Sequence, residues 1–210
     1  MGAPPIVRCL IVSAFETNCY LVGDSSTLDA LIIDPGDFAE NIIEAARSDG
    51  LNVRAIVDTH GHADHIGANG RLKREFGCPI MIHEADVPYL SDPNLNLSAL
   101  FGEFEPLSPP ADRLLRDGDE IEIGGLVFRV IHTPGHTPGG ICLLLGEMLF
   151  SGDTLFAGSI GRTDFPNGSH EQLIRSIRER LLPLPDDTTV YPGHGPETTI
   201  GIERASNPFL

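Results

Sequence analysis

Four apolar runs in this chain end alike, each running into a glycine or proline turn that carries a histidine or an aspartate. Ile56-Val57 leads towards His60-Gly61-His62-Ala63-Asp64-His65, and Val130-Ile131 towards His132-Thr133-Pro134-Gly135-His136. Leu149-Phe150 leads into Ser151-Gly152-Asp153, and Val190-Tyr191 into Pro192-Gly193-His194. Short runs rich in Val and Ile bounded by Gly and Pro read as strands. In layered sheet proteins, strand ends and their loops open onto one edge, where sites gather. Endings of this kind therefore predict a layered α/β protein with one convergent cluster of metal-binding side chains.

The first segment is the densest, with three imidazoles and one carboxylate in six residues. His60 and His62, two apart in an extended turn, can face one side and hold one ion. Asp64 and His65 can then reach a second ion nearby. Imidazole nitrogen and carboxylate oxygen suit zinc at about 2.0–2.2 Å, and the same donors accept iron and manganese. His136, Asp153 and His194 join this cluster from the other endings. His132, four residues before His136, reads as a structural hydrogen-bonding group, His83 as structural, and His170 as exposed at a helix start.

Strands are expected over Ile6–Val12, Cys19–Val22, Ala30–Ile33, Ala55–Val57 and Ile80–His83. A second set follows at Glu120–Ile123, Val127–Ile131, Ile141–Leu145, Met148–Phe150 and Thr189–Tyr191. Helical patterns cover Glu40–Ser48, Ile66–Phe76, Glu84–Leu90 and His170–Leu182, the last capped by Ser169 and carrying a core stripe of Leu173, Ile174, Ile177 and Leu181. The proline-rich stretch Ser91–Asp112, with Phe101 and Phe104, reads as a long surface loop of the kind that serves as a lid.

The net charge of -16, from 30 acidic and 14 basic residues, repels phosphate backbones and anionic lipids, which disfavours nucleic acid and membrane as partners. No apolar run approaches the ~20 residues of a membrane span. Cys9, Cys19, Cys78 and Cys142 show no CxxC spacing and read as small core hydrophobes in a reducing, cytoplasmic setting.

In order and spacing, His60–His65, Thr133–Gly139, Ser151–Phe156 and Pro192–Gly195 resemble the metallo-β-lactamase superfamily. Within it the chain looks like the short glyoxalase II (hydroxyacylglutathione hydrolase) branch. The likeness runs from about Phe15 to the end and includes Gly161-Arg162-Thr163-Asp164-Phe165. It implies an αβ/βα four-layer sandwich with two mixed sheets and helices outside. It also implies a single domain over 1–210, without the carboxy-terminal helical domain of full-length glyoxalase II.

The ligand division follows from the same resemblance: His60, His62 and His136 on one ion, Asp64, His65 and His194 on a second, Asp153 bridging them. True β-lactamases of the superfamily usually lack an aspartate at this place, so antibiotic hydrolysis is not expected. Arg162 aligns with a basic residue that contacts glutathione in relatives, while Asp164 and Phe165 replace the family's tyrosine region. The implied activity is hydrolysis of a small thioester, S-2-hydroxyacylglutathione to 2-hydroxy acid and glutathione. It proceeds by attack of a metal-bridging hydroxide that Asp64 orients. Two divalent ions are implied, zinc first, iron or manganese otherwise. The chain also resembles persulfide dioxygenases with a single iron, through Gly161–Phe165, but Pro192–Gly195 fits the hydrolases better. The expected partner is a small-molecule substrate, with the chain a monomer or a homodimer.

Overall fold

The fold is given by a computed structural model that describes residues 3–101 and 108–210. One sheet holds, in spatial order, β1 (Ile6–Val12), β2 (Thr17–Gly23), β3 (Asp29–Ile33), β4 (Asn52–Val57), β5 (Ile80–His83) and β6 (Arg113–Leu115). Its first three strands pair antiparallel, and β3 to β6 pair parallel. The other sheet holds β7 (Glu120–Ile123), β8 (Leu126–His132), β9 (Ile141–Leu145), β10 (Met148–Gly152), β13 (Thr189–Pro192) and β14 (Thr198–Thr199). All its neighbours are antiparallel except β10 and β13. A hairpin of β11 (Leu155–Phe156) and β12 (Ser159–Ile160) stands beside it.

The two-residue period of a strand divides these sheets between three cores. In β3, Leu31 and Ile33 join the layer between the sheets, while Ala30 and Ile32 face the other way. That outer face is covered by Ile42, Ile43, Ala45 and Ala46 of α1 (Ala39–Ser48) and by Leu72 of a later helix. In the second sheet Phe128, Val130, Leu143 and Phe150 point inward, and Ile131, Cys142, Leu149 and Val190 point out onto Leu173, Ile177 and Ile200. The order helix, sheet, sheet, helix is the expected four-layer αβ/βα sandwich with mixed sheets.

Every expected strand is present within two or three residues; the short strands β6, β11, β12 and β14 are additions, and the other differences lie in the helices. The pattern over Ile66–Phe76 is two helices, α2 (Ala63–Ile66) and α3 (Asn69–Phe76). The break comes where the Ala68 N–H leaves the helix to bond the Pro35 carbonyl at 2.9 Å. Asp64 and His65 sit in the single turn of α2, while His62, its N-cap, is extended. Glu84–Leu90 is a 3-10 segment with Pro88 inside it, a residue with no N–H to give a helix. The last long pattern is α4 (His170–Ser176), with Ser169 accepting the Gln172 N–H, continued by a π-helical turn over Ile177–Leu181. A further helix, α5 (Ile200–Ser206), follows β14.

Ser91–Asp112 is not a surface loop throughout. Asn96 and Ser98 are buried, and the Asn96 carbonyl takes the Ala63 N–H at 2.9 Å, which fixes this stretch against the histidine segment. Residues 102–107, Phe104 among them, lie outside the described residues. Cys19, Cys78 and Cys142 are buried as expected, but Cys9 is exposed, because β1 is an edge strand whose side chain at 9 no layer covers. Among the described residues, no helix is long and apolar enough to cross a membrane.

Candidate metal centre

Asp34, His60, His136, Asp153 and His194 follow β3, β4, β8, β10 and β13 respectively, so both sheets deliver their strand ends to one edge. There the seven side chains singled out in the sequence meet in three groups: His60, His62 and His136; His60, His65 and Asp153; Asp64, His65 and His194. Within each group the ligand-capable atoms lie within 4.8 Å of one another. His62 Nδ1 is 2.9 Å from His136 Nε2, and His65 Nε2 is 3.3 Å from His194 Nε2. Asp153 lies between: Oδ2 is 3.6 Å from both His136 Nε2 and His194 Nε2, and Oδ1 is 3.4 Å from His65 Nε2.

The rings are aimed by what holds their other nitrogens. His136 Nδ1 donates to the Arg162 carbonyl at 2.6 Å and His194 Nδ1 to the Phe15 carbonyl at 3.0 Å. His65 Nδ1 stands 3.0 Å from Asp34 Oδ2, and His60 Nδ1 is 3.2 Å from the Thr59 hydroxyl, itself bonded to Asp34 at 2.7 Å. A carbonyl accepts only from an N–H, so in the neutral ring the inward Nε2 keeps its lone pair. Such outer hydrogen bonds fix tautomer and orientation of metal-ligating histidines.

The residues fit a divalent cation on two counts. His60 Nε2 and Asp153 Oδ1 are buried with no hydrogen-bond partner among the described residues, an arrangement that costs about 1–3 kcal/mol per group unless something else satisfies it. The donor set of imidazole and carboxylate is also that of zinc, iron or manganese.

The electrostatics divide the cluster. Burial, with the neighbouring imidazoles, holds His60 and His62 well below the usual histidine range, so these two rings present neutral nitrogen. Around His65, burial opposes the charge but Asp64, Asp153 and Asp34 outweigh it and push the ring up to about 10. His194 also moves up, burial being outweighed by Asp64 and Asp153, while Asp64 falls below the ordinary carboxylate range, its burial outweighed by His65 and His194. A cation entering this second group takes the place of a proton.

Arg162 stands at the mouth, largely exposed, paired with both oxygens of Asp164 at 3.0 and 2.7 Å and lying 4.1 Å from the centre of the Phe165 ring. The cavity in front of the cluster has a volume of about 370 Å³, with Phe15, Leu97, Leu100, Phe156 and Phe165 as its apolar wall. His132 and His83 stack on each other at 4.1 Å, and His132 Nε2 bonds the Pro138 carbonyl, so both have structural partners; His170 is exposed at the start of α4. Asp34, Thr17 and Asp86 are the contributors that sequence reasoning missed. For Asp34 the signal was there: Ile32-Ile33-Asp34-Pro35-Gly36 repeats the strand-then-turn layout of the other endings.

Residues 12–194 match the family model of the metallo-beta-lactamase superfamily. The chain is 42% identical to hydroxyacylglutathione hydrolase GloC of Haemophilus influenzae over 97% of both chains. The crystal structure of the B3 metallo-beta-lactamase BLEG-1 superposes with a TM-score of 0.93 at 41% identity, over 98% of this chain and 99% of that one. The protein TTHA1623, crystallised in a di-iron-bound form, gives a TM-score of 0.87 at 38% identity, over 97% of this chain and 100% of that one. The chain belongs to the metallo-β-lactamase superfamily.

Proposed function

We propose that this member of the superfamily is a two-metal hydrolase of small thioesters, with S-2-hydroxyacylglutathione as its reference substrate. The observation that carries the reading is Asp153, one carboxylate within 3.6 Å of histidines from both groups. His60, His62 and His136 would hold the first ion, Asp64, His65 and His194 the second, with Asp153 shared between them. Ions held there supply hydroxide near neutral pH and polarise a carbonyl oxygen. Zinc suits these donors, and the di-iron form of TTHA1623 supports iron as an occupant of a site of this kind.

The chain's own part is orientation and exclusion of water. Asp64 Oδ2 accepts the Thr17 hydroxyl at 3.1 Å and faces His194 Nε2 at 3.3 Å, so the carboxylate is fixed while still lining the cavity. From there it would accept a hydrogen bond from the nucleophile and set its direction of attack. The wall of Phe15, Leu97, Leu100, Phe156 and Phe165 takes apolar parts of the substrate. Arg162 meets an anionic end of the thiol part, in competition with Asp164. Four unbonded cysteines support a reducing cytoplasm as the setting.

GloC supports the thioester as substrate, and BLEG-1 makes a β-lactam the competitor to test against it. Metal-loaded protein is expected to release thiol from S-lactoylglutathione faster than it opens a chromogenic cephalosporin; the opposite order overturns the thioester reading. A single-iron dioxygenase would use fewer of the seven clustered side chains than a two-metal site does. Arg162→Ala is expected to raise KM about 3- to 10-fold, the scale of one solvent-exposed charge contact, with kcat within about twofold. A fall confined to kcat would remove Arg162 from the substrate-binding residues.

A further inference from the structure

Strand β5 ends at His83, and the chain enters the 3-10 segment Glu84–Leu90 at once. Asp86, in its first turn, is fully buried. Its carboxylate accepts three hydrogen bonds, all from two loops of the metal centre. Oδ2 takes the Gly61 N–H at 3.1 Å and the Thr137 hydroxyl at 2.7 Å; Oδ1 takes the Gly139 N–H at 2.6 Å. Gly61 lies between His60 and His62, and Thr137 and Gly139 follow His136. One side chain thus spans the two loops whose histidines form the first group.

The sequence makes room for this clasp. A Cβ at position 139 would sit 2.6 Å from Asp86 Oδ1, and one at 61 would strike the Tyr89 side chain of the same 3-10 segment. Both glycines are needed for the loops to close on the carboxylate. Among the described residues, no side-chain hydrogen bond of Asp86 goes to the Asp64, His65 or His194 positions.

We propose that Asp86 is a positioning residue for the first ion, setting the spacing of the His60–His62 loop from the His136 loop. That spacing is the 2.9 Å between His62 Nδ1 and His136 Nε2. The proposal rests on the assignment of His60, His62 and His136 to one ion. Replacing one carboxylate oxygen by an amide NH2 sets a donor against a buried donor, so the two loops must separate. Loss of such an outer partner lowers metal affinity about 10- to 100-fold.

The test is zinc competition against a chelator on Asp86→Asn and on the milder Thr137→Val, which removes one of the three bonds and keeps the carboxylate. Thermal unfolding is followed alongside. In Asp86→Asn one zinc equivalent is expected to weaken about 10- to 100-fold and the other to stay within about twofold. In Thr137→Val the same equivalent is expected to weaken about fivefold, and this variant decides the matter if Asp86→Asn does not fold. Equal weakening of both equivalents, or of neither, overturns the proposal, the first outcome making Asp86 a general brace of the fold. His136→Ala serves as the control: if it keeps both equivalents at full affinity, the ligand assignment itself fails and the proposal with it.

Discussion

Asp153→Ala is expected to keep no more than one metal equivalent and to lose about 10²- to 10³-fold in kcat/KM, roughly 3–4 kcal/mol of transition-state stabilisation. The reason is its place between the two groups. Oδ1 is buried with no hydrogen-bond partner among the described residues, and both oxygens point at histidines that belong to different groups. With it removed, Asp64 is the one carboxylate left in the cluster to balance two dications among five imidazoles. The side chain is short and follows β10 directly, so the fold has little reason to change. Metal analysis beside circular dichroism separates loss of the ion from loss of structure. Full turnover with two equivalents retained would refute the bridging role.

The second large effect belongs to Asp64. In Asp64→Asn, kcat is expected to fall about 10²- to 10³-fold, the usual cost of losing one preorganised electrostatic contact to the reacting group, while KM changes by much less. Asparagine keeps the shape, and its Oδ1 can still accept the Thr17 hydroxyl that the carboxylate takes at 3.1 Å. What it loses is the charge that raises His65 and His194 and one carboxylate oxygen able to accept a hydrogen bond from the nucleophile. Steady-state kinetics over a range of thioester concentrations read the split directly. A kcat within about threefold of the parent would take Asp64 out of the chemistry and leave it as a ligand only.

The candidate centre was legible because its proposed ligands are local. His60, His62, Asp64 and His65 fall within six residues, and each later ligand stands at a strand end marked by Gly or Pro. The strands were legible for a related reason, since runs such as Ala30–Ile33 are apolar throughout and buried on both faces. The groups that hold the ligands in place were not. Asp34 reaches Thr59 and Asp86 reaches Thr137 across 25 and 51 residues, and no local pattern announces a partner so far away. The split of the helix after Ile66 was hidden likewise, because the carbonyl that draws off the Ala68 N–H belongs to Pro35 on another strand's turn. The strands β6 and β14 escaped notice because they are edges of two or three residues, defined by pairing more than by composition. Arg162 was visible only through resemblance, and its clasp by Asp164 is a fact of three dimensions.

On the proposed reading, one cluster of seven side chains would hold two ions and hydrolyse a thioester with them. Metal analysis of the purified protein, combined with thiol release from S-lactoylglutathione, tests it most directly. About two equivalents of zinc, iron or manganese per chain are expected, with thiol release lost when a chelator removes them. One iron per chain, with oxygen consumed on addition of glutathione persulfide and no thiol released from the thioester, would contradict it.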